Sequence, residues 1–183
     1  MKSLILALTL ALTTSSAQAS LAANTPIKVS DGEYKNIALF SIGDPVTTGD
    51  TTVTPGSVPF KSSTVKFSSG TPSANTIMVY ISYGDDESLI ATSGQPLVLA
   101  SGKMVRADTL VPGNDLMGET GIPVSVNLVS VGYYSGGIHA ISTSTNSSDL
   151  GKAVLVANGI VVGSYLDEIF LSVSPTPTPV LGF

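Results

Sequence analysis

After its first twenty residues the chain alternates short apolar runs with clusters of Gly, Pro, Asp, Asn and Ser. The runs at 76–83, 125–131 and 153–157 are rich in β-branched and aromatic residues and are bounded by turn formers, the signature of strands. Helical periodicity is interrupted by Gly or Pro in most windows of about a dozen residues. Only short helical turns are expected, one at 105–110 and a counterpart at 34–39. The pattern predicts an all-β domain of many short strands. The closing segment, 172–183, alternates Thr with Pro175, Pro177 and Pro179 and reads as an extended tail.

A gapless internal repeat sharpens this picture. Shifting the chain by 70 positions lays residues 25–33 over 95–103 and keeps register well beyond them. Pro26 then meets Pro96, Gly32 meets Gly102 and Gly43 meets Gly113, while Ile27, Val29 and Phe40 meet Leu97, Leu99 and Leu110. Each copy predicts an extended segment, a tight Asp-Gly or Ser-Gly turn, a helical turn and a second Gly turn. Two such copies imply a pseudo-twofold β architecture.

The first nineteen residues read differently. Met1 and Lys2 precede an apolar core at 4–12, and Ala17-Gln18-Ala19 places small residues where a signal peptidase inspects them. Residues 1–19 are expected to be a cleaved signal peptide, so that a secreted chain starts at Ser20 with a β domain over 20–171. An apolar run of about nine residues falls short of the roughly 20 needed to cross a bilayer, and no later run is longer. No membrane span is expected in the mature chain.

Composition narrows the chemistry. The 183 residues are 43% apolar and 11% charged, which suits one domain. Eight Lys and Arg stand against 13 Asp and Glu, for a net charge of −5, and no window is basic enough for a nucleic-acid groove. The absence of Cys removes disulfides, zinc-thiolate sites, iron–sulfur clusters and thiol nucleophiles, and a single His removes any site that needs two imidazoles. No metal and no cofactor is expected. His139 falls in an alternating run that puts it on one strand face with Ile141, so a structural, hydrogen-bonded role is expected for it. Gly84-Asp85-Asp86-Glu87-Ser88 lacks the ligand spacing of a calcium loop and reads as a solvated hairpin turn. Asn146-Ser147-Ser148 is a glycosylation acceptor only if the chain passes a eukaryotic secretory pathway.

Four blocks in order carry a resemblance. Thr25-Pro26-Ile27-Lys28-Val29-Ser30-Asp31-Gly32 is followed by Ile37, Leu39 and Gly43-Asp44-Pro45-Val46, then by Thr92-Ser93-Gly94-Gln95-Pro96-Leu97. Arg106-Ala107-Asp108-Thr109-Leu110-Val111-Pro112-Gly113-Asn114 makes the third block and Ala157-Asn158-Gly159-Ile160-Val161-Val162-Gly163-Ser164 the fourth. Over about residues 20–165 the chain resembles the Hint domain, the self-processing module of hedgehog proteins and inteins. That resemblance implies a pseudo-twofold all-β fold. It also implies a nucleophile at Ser20, whose hydroxyl would attack the preceding carbonyl, with Thr92 and the residue at position 95 polarising the amide.

The same resemblance exposes what is missing. Where the family has a proton-donating His the chain has Gln95, which donates hydrogen bonds and cannot transfer a proton. The acid or His expected ahead of the last block is Ala153, and the final His-Asn pair is Gly163-Ser164. The sequence therefore points first to a secreted Hint-like domain without self-processing, acting as a binding or structural module for an extracellular protein or glycan. An active autoproteolytic domain using Ser20, Thr92 and Gln95 is the alternative. A third reading, a carbohydrate-binding or adhesive surface protein, needs exposed rings at Tyr133 and Tyr134 or at Tyr80 and Tyr83.

Overall fold

The computed structural model describes residues 20–51 and 59–173. The predicted signal segment and the tail beyond residue 173 lie outside them. The described residues form fifteen strands. In chain order these are β1 (Leu21–Ala22), β2 (Pro26–Lys28), β3 (Tyr34–Asn36), β4 (Pro45–Gly49), β5 (Lys61–Thr64), β6 (Phe67–Thr71), β7 (Thr76–Tyr83) and β8 (Glu87–Ala91). There follow β9 (Pro96–Val98), β10 (Met104–Arg106), β11 (Asp115–Met117), β12 (Pro123–Tyr134), β13 (Ile138–Ser142), β14 (Val154–Ala157) and β15 (Ile160–Val162). The runs expected at 76–83, 125–131 and 153–157 are thus strands, the second one extended at both ends.

The strands build two sheets whose neighbours pair antiparallel. One runs β11-β12-β7-β8-β1-β13-β6, and the other runs β10-β9-β15-β14-β2-β3, with β4 bound to β14 and β5 to β4. The expected all-β fold is what forms. Apolar side chains from both sheets, among them Ile27, Val79, Ile81, Leu97, Leu116 and Leu155, share one buried cluster. Removing each such side chain from water is worth about 1.5–3 kcal/mol, and this burial takes the place of the disulfides the chain cannot make.

The repeat is real in three dimensions. β2, β3 and the 3-10 turn Ile37–Leu39 correspond at the same 70-residue shift to β9, β10 and the 3-10 turn Ala107–Thr109. Gly43 and Gly113 hold φ of +101° and +88°, a left-handed conformation open to glycine at little cost. The predicted hairpin turn at 84–86 joins β7 to β8, with Asp86 itself at positive φ.

One element is absent from the sequence reading. A helix, α1 (Tyr165–Val173), follows β15 directly and runs two residues into the segment expected to be an extended tail. Its cause is local. Ser164 is the N-cap residue, and Asp167, three positions on, accepts the Ser164 N–H at 2.8 Å, one half of a capping box. Ser164-Tyr165-Leu166-Asp167 ahead of an apolar run was the available signal.

Candidate functional site

Strand register brings the candidate residues together. β1 pairs with β8 so that Leu21 faces Ala91, which sets Ser20 opposite Thr92 at the next step of the ladder. The Thr92 N–H donates to Ser20 O at 2.9 Å. The Thr92 hydroxyl lies on the backbone of the same residue, accepting the Ser20 N–H at 3.0 Å and donating to Ser20 O at 3.3 Å. Ser20 and Thr92 are both buried. Thr92 therefore fixes the N–H of the amide that joins residue 20 to residue 19.

Gln95 reaches the residue that follows β15. A turn closed by the Gln95 N–H on Thr92 O carries it into β9, and β9 pairs with β15 through Leu97 and Val162. The Gly163 N–H then donates to Pro96 O at 2.9 Å. The Gln95 carboxamide donates one hydrogen to Gly163 O at 2.9 Å and the other to Pro96 O at 3.1 Å. A glutamine has two N–H donors, and both are committed to these carbonyls. Gln95 is in the site, but it serves the Gly163 end and holds no hydrogen for the Ser20 nitrogen.

Two carboxylates that the sequence reading did not single out close the site. Asp167 Oδ2 accepts both the N–H and the hydroxyl of Ser164, at 2.8 and 2.9 Å, while Oδ1 accepts the Gly151 N–H at 2.8 Å. The Glu168 carboxylate lies against Gly94, where any Cβ would collide with Oε1. Both acids are buried, Glu168 against the turn at 92–95 and Asp167 on Ser164 and Gly151. The hydroxyl of Ser164, in the position of the family's terminal Asn, is held by the helix it starts.

His139 is near in register and turned away. Leu21 faces His139 across β1 and β13, so strand alternation puts the imidazole on the Leu21 face and Ser20 on the other. The Ser68 hydroxyl donates its hydrogen to Phe40 O at 2.7 Å and so accepts from His139 Nε2 at 2.8 Å. Burial holds the imidazole below its ordinary pKa. The expected structural, hydrogen-bonded role is the one it has. Ala153, at the other proton-handling position, is a buried apolar residue.

The tyrosines divide unevenly. Tyr83 is buried with its hydroxyl on Asn158 O, and Tyr134 is half-buried with its hydroxyl on Gly137 O. Tyr80 and Tyr133 are exposed on opposite faces of the β7–β12 ribbon, so neither expected pair forms a stacking platform. No helix among the described residues is long and apolar enough to cross a membrane.

No family model matches the sequence, and no curated protein does. Solved structures do match. A bacterial intein-like domain from Clostridium thermocellum superposes with a TM-score of 0.65 at 17% identity, over 79% of this chain and 98% of that one. The DnaB intein of Synechocystis sp. PCC 6803 gives 0.63 at 13%, over 80% and 98%. The gp41-1 intein gives 0.59 at 16%, again over 80% and 98%. The architecture agrees with these neighbours over nearly their whole length while the site residues depart from the pattern the resemblance implied, and the chain is therefore a divergent domain of the Hint fold.

Proposed function

We propose that this chain has kept the Hint fold and given up self-processing, and that it works outside the cytoplasm as a binding or structural module. The observation that carries this reading is Gln95. An acyl shift at Ser20 would join its hydroxyl oxygen to the carbonyl carbon of residue 19 and break that carbon's bond to the Ser20 nitrogen, which must leave with a proton. Thr92 only accepts the N–H of that bond and supplies no proton to it, and the group in the acid's place does not titrate and has both hydrogens on Gly163 and Pro96. Secretion follows from the leader at residues 1–19.

The alternative is an active serine-type processor. It is favoured by the Thr92 hydroxyl at 3.0 Å from the Ser20 nitrogen, since holding the scissile amide in one orientation supplies part of the rate without proton transfer. Intact mass and N-terminal sequencing decide between the two. The chain is made with its leader in a cell-free system lacking membranes and signal peptidase, beside Ser20→Ala. Both proteins are expected at full length. Loss of residues 1–19 by the wild type alone would show that Ser20 cuts the chain.

A further inference from the structure

β12 is the longest strand of the fold and is covered only at its base. Pro123, Val124 and Ser125 pair with β11, while Val126 and residues 128–134 pair with β7 on the other side. Beyond Val126 the β11 side of β12 carries no paired strand among the described residues. The open edge is 128–134, Leu-Val-Ser-Val-Gly-Tyr-Tyr. Its Leu128, Val131 and Tyr133 are 49%, 62% and 87% exposed, and Ile77, which faces Tyr133 on β7, is 52% exposed.

Natural edges are guarded against pairing by Lys, by Pro within the strand, by bulges or by short length. This one has none of these over its open part. Pro123 and the register shift between Val126 and Leu128 both lie at the covered base. Neither β7 nor β12 contains Asp, Glu, Lys or Arg, although the chain carries a net charge of −5. A second copy laid against this edge brings no like charges together. An acidic or basic partner finds no countercharge on it.

We propose that the open edge of β12 pairs with the same edge of a second copy, joining the two sheets across a twofold axis. An antiparallel register centred on Val131 puts Leu128 opposite Tyr134 and Val129 opposite Tyr133, and leaves Val131 against its own counterpart. Aromatic and β-branched side chains then face each other across the junction, the cross-strand combination that stabilises antiparallel pairs. Each copy offers one such edge, so the pairing closes at a dimer. The tail beyond residue 173 is the competing occupant within the chain. It starts from α1, which packs on β9 and β13, and its alternating prolines lack the N–H groups a strand would offer.

Sedimentation velocity of the purified chain, from about 1 μM to about 1 mM, reads the equilibrium directly. The wild type is expected to shift from monomer to dimer within that range. Val131→Lys and Tyr133→Lys each place a charge on the edge, and each is expected to weaken the dimer by roughly tenfold or more with an unchanged circular dichroism spectrum. Leu39→Lys, at an exposed apolar position on the 3-10 turn Ile37–Leu39, is the matched control and is expected to dimerise as the wild type does. A wild type that stays monomeric throughout overturns the proposal. So does a dimer that survives both β12 variants, because another surface then holds it. A dimer lost on deletion of residues 174–183 with β12 intact assigns the contact to the tail instead.

Discussion

In the first copy of the repeated unit the N–H groups of Ile37 and Ala38 donate to the carbonyls of Thr25 and Ala23. In the second copy those of Ala107 and Asp108 donate to Gln95 and Ser93, 70 residues further on. The Gly32 N–H closes on Val29 O as Gly102 does on Leu99 O, and Thr25 bonds back to Ala22 as Gln95 does to Thr92. One backbone has been written twice. Its side chains agree where they pack, as Ile27 does with Leu97, and differ where they line the site. Ala22 and Thr25 in one copy are Thr92 and Gln95 in the other, and only the second pair reaches the two ends of the Hint unit.

The largest test of this comparison lies in the shared core. Ile27 and Leu97 are equivalent, fully buried, and sit beside β14 and β15 respectively. Ile27→Ala and Leu97→Ala are each expected to cost about 2–5 kcal/mol in urea unfolding, with the two values close to one another. A large inequality would mean that the copies share a path but carry unequal shares of the core.

A smaller effect separates the copies at the site. Thr92→Val keeps shape and removes the hydroxyl, so the buried Ser20 N–H loses its partner at an expected cost of about 1–3 kcal/mol. The equivalent residue in the first copy is Ala22, which has no hydroxyl to lose. Thermal unfolding of Thr92→Val that matched the wild type would show that water or the backbone replaces the hydroxyl, and that the clamp on Ser20 is not a structural device.

These differences also mark what the sequence could tell. The strands, the repeat and the turn glycines were legible because they rest on periodicity and on residues such as Gly43 and Gly113 whose conformations few side chains tolerate. Ser20, Thr92 and Gln95 were legible through the ordered blocks. The direction of the Gln95 amide was not, since it depends on β15 lying beside β9, a pairing between segments some 65 residues apart. The helix α1 was missed because Gly163 and the proline-rich tail bracket a window too short for periodicity, although the Asp167 carboxylate that caps Ser164 was a local signal. Burial of Asp167 and Glu168 follows from the packing of that helix, and two adjacent acids read as solvated in any linear scan.

The finest contrast between the copies is one of charge. Asp44 and Asn114 occupy equivalent turns, Asp44 accepting the Ser41 N–H at 3.0 Å and Asn114 accepting the Val111 N–H at 3.0 Å. Only Asp44 also meets a cation, Lys35 at 2.7 Å, where the second copy has Val105. The Lys35 hydrogen bond, helped by the Ser41 N–H, holds the Asp44 carboxyl below its ordinary value. The unfolded chain therefore binds a proton to this carboxyl more readily than the folded chain does. Its contribution is present above the unfolded pKa and is lost as the pH falls through the lower folded one. His139, also depressed, acts in the same sense at higher pH and is common to wild type and variant, so a difference measurement cancels it. Asp44→Asn makes the first turn resemble the second. The stability difference between wild type and Asp44→Asn is expected to be largest near neutral pH, to shrink through the acid carboxylate range and to weaken in high salt, because both side chains of the pair are about a third exposed. A difference independent of pH would mean that the turn depends on the capping oxygen alone, as it does at Asn114, and that Lys35 adds nothing to it.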